Sequence, residues 1–149
     1  MPKHTAKRIV PYNQERIFNT MMDVEAYPRI LPFIRSLKIL ERHDDYLTAR
    51  VAVGAGPLVF TYSCKIIPSA HDSIEVDMIK GPFKRLYAKW TFTAMSKDET
   101  EVSCFLDSAF HSPMMEMAGG KIFAHQFQHA IQVFEAHLKR QDRKNARNT

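Results

Sequence analysis

The chain has only two cysteines, Cys64 and Cys104, in 149 residues, too few for a disulfide framework. It does not need one, because a chain of this length buries roughly 70% of its unfolded surface and folds without staples. Both cysteines lie within apolar strand patterns, where a free thiol behaves as a small hydrophobe and points to a reducing compartment. Long apolar runs are missing too. The longest stretch of apolar, Gly or Pro residues, Val51 to Phe60, is far short of the ~18 residues that span a bilayer. No basic-then-apolar leader opens the sequence. The expectation is a soluble, cytoplasmic protein, with residues 1–149 forming one domain.

Several catalytic signatures are also absent. There is no Gly-x-Gly-x-x-Gly, no phosphate loop and no Cys-x-x-Cys, so nucleotide-binding and zinc-ribbon readings fall away. His125 and His129 have the spacing of a helical zinc site, but Gln126 stands where a zinc protease carries its glutamate. Both histidines project away from the apolar stripe of their helix and read as surface residues. Glu75, Asp77 and Asp107 fall on strand faces opposite the apolar sets, so no carboxylate pair converges on an apolar cleft. His111, Ser108, Tyr62 and Tyr87 remain as isolated acids, bases or donors, and they carry the weaker reading of a cyclase-like enzyme. Neither a metal nor a cofactor is expected, and no catalytic residue is assigned.

What the chain does have is alternation. Leu86, Ala88, Trp90 and Phe92 share one parity and Arg85, Lys89 and Thr91 the other, the pattern of a half-buried strand carrying the one tryptophan. The same period predicts strands over Lys7–Val10, Leu37–Arg42, Tyr46–Val53, Leu58–Ile67, Ser73–Lys80, Phe83–Met95 and Glu101–Phe110. Turn residues separate them, including Gly54-Ala55-Gly56-Pro57 and Gly81-Pro82. Between the first two strands, Asn13 is a plausible helix N-cap and Asp23 a second one. Near the C-terminus, Phe123, Phe127, Ala130, Ile131, Phe134 and Leu138 fall within an arc of about 100° on one long helix. The predicted class is α+β: a curved, antiparallel, seven-stranded sheet wrapped around a long C-terminal helix, with two short helices after the first strand.

Such a sheet gripping one helix tends to leave a concave apolar space, and this favours a lipophilic ligand. Between the last strand and the helix, His111 to Gly120 holds three methionines beside Gly119 and Gly120, and reads as a hinge that gates the space. The formal charge of +5 sits mostly at the ends, and residues from about 140 to 149 read as a basic, flexible tail. This excess suits an anionic membrane surface or RNA rather than DNA, with Arg85 and Lys89 forming an outer ridge for phosphate groups.

Four segments together resemble the coenzyme Q-binding branch of the START-like superfamily of polyketide cyclases and lipid transporters, which also contains RatA-type ribosome-association toxins. They are Val10-Pro11-Tyr12; Asp23 to Pro28 with Leu31-Pro32-Phe33; Gly81-Pro82-Phe83 with Leu86, Trp90 and Phe92; and Phe134-Glu135 on the last helix. The resemblance implies a helix-grip fold and a tunnel for ubiquinone or another polyprenyl quinone, with a carrier role that supports respiration. Transient contact with an anionic membrane goes with that role. A RatA-like toxin that binds the large ribosomal subunit is the alternative. The expected ligand-binding residues are Tyr27, Leu31, Phe33, Val51, Val53, Phe60, Tyr62, Trp90, Phe92, Phe110, Met114, Met117, Phe123 and Phe127.

Overall fold

The structure, a computed structural model, describes residues 3–147, apart from the side chains of Ala55, Ala118, Lys121, Ile122, Phe123 and Ala124. The chain opens with strand β1 (Lys3–Val10) and helix α1 (Gln14–Met22), followed by a single 3₁₀ turn (Val24–Ala26) and helix α2 (Tyr27–Ile30). Strands β2 (Ile34–Arg42), β3 (Leu47–Ala55), β4 (Leu58–Ser69), β5 (Ser73–Lys80), β6 (Phe83–Ser96) and β7 (Glu99–Phe110) come next, before the long helix α3 (Pro113–Arg147).

All seven strands form one antiparallel sheet in the order β1-β7-β6-β5-β4-β3-β2. From β2 to β7 every neighbour in space is also the neighbour in sequence, as short turns demand. Strand β1 breaks this order by pairing with β7, from Lys3 opposite Asp107 to Val10 opposite Thr100. The detour through α1 and α2 separates β1 from β2 and leaves both at sheet edges.

The expected strands are all present, and all but β5 are longer than the pattern suggests. Strand β1 begins at Lys3 because the β7 ladder reaches that far. Strand β2 begins at Ile34, which pairs with Val53 while the Gly54 amide donates to the Phe33 carbonyl at 2.9 Å. Pro68 lies inside β4, opposite Ile74. The β3 ladder has already ended at Leu47 opposite Ile66, so Pro68 has a neighbour on one side only and its missing N–H costs little.

Local chemistry sets the helix ends. The Asn13 side chain accepts from the Glu15 amide at 2.9 Å and caps α1, and Ile17, Phe18 and Met21 bury its inner face. Asp23 starts the 3₁₀ turn without a side-chain cap. Helix α3 starts at Pro113, where proline's lost N–H and fixed φ suit the first turn, and the Ser112 hydroxyl accepts from the Met114 amide at 3.2 Å. Residues 114–120 are thus helix rather than hinge loop. At the other end α3 continues to Arg147, so the basic residues from 140 onward are helical where a flexible tail is expected. No proline or glycine interrupts the run from Lys121 to Arg147, and its Lys, Arg, Gln and Ala residues favour helix.

The inner strand faces pack under α3 as the alternation predicts. Ala49, Val51, Val53, Cys64, Ile66, Leu86, Trp90, Phe92, Cys104 and Leu106 are buried, together with Phe127, Ile131, Phe134 and Leu138 from the helix. Glu135 is buried with them at 6% exposure. Its carboxylate accepts from the Arg8 guanidinium at 2.9 Å and stands 3.9 Å from the Lys139 ammonium. A buried carboxylate needs such a partner, and this one ties the middle of α3 to edge strand β1.

Candidate functional site

Two aromatic groups pack between sheet and helix. Under the middle of α3, the Trp90 ring lies 5.6 Å from Phe127 and 6.4 Å from Phe134, and Phe134 meets Tyr27 edge-on at 5.4 Å. Under the start of α3, Phe110 lies 5.0 Å from Phe60 and 4.5 Å from Phe83, and Tyr62 stands edge-on to Phe83 at 5.8 Å. Gly119 lets the helix close on this second group. A Cβ there would lie 3.2 Å from a Phe60 ring carbon and 3.4 Å from one of Phe110. The two glycines in the α3 sequence are the signal for this contact; only the register of the helix on the sheet shows which of them faces inward.

Of the expected ligand-binding residues, Leu31, Val51, Val53, Tyr62, Trp90, Phe92, Phe110 and Phe127 are buried. Tyr27, Phe33 and Phe60 are partly buried against the same core. Phe92 packs edge-on to Phe18 of α1 at 5.6 Å, so it sits behind the wall. Met114 and Met117 correct the expectation: they are 77% and 84% exposed and turn outward from the first turns of α3, three residues apart on one helical face. Phe123 lies outside the described side chains.

Polar atoms are few in this interior. The Tyr27 hydroxyl donates to the Met21 carbonyl, and burial raises its phenol above the usual range. Tyr62 is 9% exposed, and burial, with Cys64 and Tyr27 nearby, raises its phenol as well. No hydrogen bond of its hydroxyl occurs among the described residues, where the fully buried side-chain oxygen without a partner is Thr48 Oγ1. Burial also pushes the Cys64 thiol up to about 12. Near neutral pH these groups are uncharged. They cannot act as nucleophilic thiolate or phenolate, but the Tyr62 hydroxyl can donate to a neutral acceptor that enters.

Outside this interior, two grooves are bordered mainly by polar and charged residues. One of about 500 Å³ lies between α1 and the second half of α3 and includes Asn13, Arg16, Thr20, Asp23, His137 and Gln141. Another, of about 440 Å³, is bordered by Arg140, Arg143, Lys144 and Arg147. Of the expected outer ridge, Arg85 is ion-paired and Lys89 has an acid only as its ladder neighbour. Arg85 meets Asp107 at 2.9 Å, and Lys89 stands opposite Glu75 in the ladder, whose carboxylate accepts from Tyr87. An exposed His125–His129 pair runs along α3, and no group of residues suited to hold a metal occurs among the described residues. Among them, too, no helix is long and apolar enough to cross a membrane.

Residues 10–135 match the family described as polyketide cyclase/dehydrase and lipid transport. The ribosome association toxin RatA of Escherichia coli K12 is 30% identical over 93% of this chain and 88% of its own. The mitochondrial coenzyme Q-binding protein of Schizosaccharomyces pombe is 25% identical over 87% of this chain and 84% of its own. Among solved structures, the Zhui aromatase/cyclase of Streptomyces superposes with a TM-score of 0.79 at 14% identity, over 93% of this chain and 94% of that one. That likeness concerns the fold alone.

Proposed function

The chain belongs to the polyketide cyclase/dehydrase and lipid transport family, and from that premise we propose that it binds a polyprenyl quinone such as ubiquinone and carries it without chemical change. The observation that carries this reading is Tyr62, a phenol 9% exposed and set in an aromatic wall, for whose hydroxyl no hydrogen bond occurs among the described residues. A quinone suits that setting, since its carbonyl can accept the Tyr62 proton while its tail lies along Val51, Phe60, Trp90 and Phe127. Burial of one CH₂ is worth roughly 0.8 kcal/mol, so each five-carbon isoprenoid unit contributes about 3 to 4 kcal/mol before ordering costs. Two units contribute about 6 to 8 kcal/mol, which approaches the scale of micromolar binding before those costs are subtracted. The similarity to a coenzyme Q-binding protein supports this choice of ligand. No acid–base pair or activated nucleophile lines the interior among the described residues, which favours a carrier over a cyclase. Loading from a membrane by transient contact with its anionic surface belongs to the same proposal.

The test is organic extraction of the purified protein, with quinone sought by ultraviolet absorbance and mass. Wild type yields quinone or takes it up when added. Tyr62→Phe, which keeps the ring, binds it about tenfold more weakly, the worth of one hydrogen bond to a buried acceptor. An empty extract from a protein that also refuses added quinone overturns the proposal.

A second reading is association with the ribosome, favoured by the similarity to RatA over nearly the whole chain and by the cationic end of α3. An internal ligand and an external partner use different surfaces, so one fold accommodates both.

A further inference from the structure

We propose that the last two turns of α3 form a phosphate-docking surface for structured RNA. The proposal rests on the ribosome-association reading and assigns it a place on the molecule. Arg140, Arg143, Lys144 and Arg147 border one groove of about 440 Å³. Their spacing of three, four and seven residues puts them on one helical face, spread over about 10 Å of helix axis.

The charge of this face is not cancelled locally. All four side chains are exposed, and none meets a carboxylate among the described residues. The acids of the same helical stretch are engaged elsewhere: Asp142 pairs with Arg16 of α1 at 2.5 Å, and Glu135 with Arg8 at 2.9 Å. On the outer sheet face, by contrast, Arg85 and Lys7 each stand beside an acid, Asp107 and Glu101. The negative end of the helix dipole amounts to about half a charge, small against four cations.

Structured RNA fits this face better than a bilayer does. A helix that lies on a membrane inserts an apolar face, but the apolar face of this one, Phe134 and Leu138, is already buried beneath the sheet. Between the cations stand Gln141, Asp142, Asn145 and Ala146, which offer little to insert. Three of the four cations are arginine, whose planar fork grips phosphate oxygens in pairs. A row held on a rigid helix suits phosphates held at fixed spacing on folded RNA.

The experiment is co-sedimentation of the full chain with purified large ribosomal subunits across a salt series. With four phosphate contacts, log affinity falls with log salt at a slope of about −3 to −4. The R140E/R143E/K144E variant loses at least about tenfold in affinity and most of the slope, at roughly one unit per cation removed. R140Q/R143Q/K144Q follows the same direction with less repulsion and serves if the charge-reversed chain fails to fold, as read by circular dichroism. R140K/R143K/R147K keeps the slope. If wild type binds the subunits and the glutamine variant binds them equally well, the docking surface is wrong while the ribosome reading stands. If wild type ignores the subunits even at low salt, both fall. If it ignores them but binds vesicles of equal parts phosphatidylcholine and phosphatidylglycerol, and the variants do not, RNA is the wrong partner for this face.

Discussion

The two halves of α3 are built differently. From Phe127 onward the helix is fastened by large contacts: Phe134 between Tyr27 and Trp90, Glu135 on Arg8, and Arg16 on Asp142. Over its first two turns it shows two methionines to solvent and rests on the Phe60–Phe110 pair through a glycine that has no side chain to interlock. Stability differs from place to place in a fold, and segments that admit ligands come from its weaker end. The comparison teaches that one helix can serve as both anchor and cover. Its C-terminal half is held by aromatic and ionic contacts, while among the described side chains its first two turns are held by Gly119 on the aromatic pair, by Met115 against the core and by one hydrogen bond, from the Phe110 amide to the Glu116 carboxylate.

The largest test of this contrast is Phe134→Ala, which empties the site between Tyr27 and Trp90 and costs about 3 to 5 kcal/mol in denaturant unfolding. A loss below about 1 kcal/mol erases the distinction between anchored and lightly held halves. Arg8→Ala comes next. It leaves the buried Glu135 carboxylate with only Lys139, 3.9 Å away, and costs about 2 kcal/mol at neutral pH.

The glycines separate the two sides of the cover itself. Gly119→Val forces a branched side chain against Phe60 and Phe110, with an expected cost of about 1 to 3 kcal/mol and weakened quinone uptake. Gly120→Ala has the smallest effect and the opposite sign. The nearest atom to its Cβ is in the flexible Glu116 side chain at 3.5 Å, so the better helix propensity of alanine adds about 0.5 to 1 kcal/mol. Thermal unfolding of the pair checks both signs.

Much of the sheet is legible in the sequence because a strand writes its burial at every second residue. Leu86, Ala88, Trp90 and Phe92 point inward as their parity requires, and β5 has the predicted ends, Ser73 and Lys80. The helices are less legible at their ends. Met114 and Met117 are apolar, yet they face solvent because the register of α3 turns Gly119, not them, toward the sheet. Arg85 shows a free cation in the sequence, but its fate depends on Asp107, brought alongside by β6–β7 pairing. The candidate interior is legible as a set of apolar positions, and the lone Tyr62 hydroxyl within it is not, since hydrogen-bond partners come from other strands and helices.

By itself, the amino-acid sequence determined the α+β class, the run of antiparallel strands and the aromatic composition of the interior, because periodic burial and turn residues act over a few neighbouring positions. The tertiary structure alone decided that β1 closes onto β7, that Glu135 finds Arg8, and that Arg140, Arg143, Lys144 and Arg147 meet no acid among the described residues while Arg85 and Lys7 of the sheet do. Those outcomes depend on pairs of residues about a hundred or more positions apart in the chain, or on neighbouring strands, and no local pattern encodes which of them will meet.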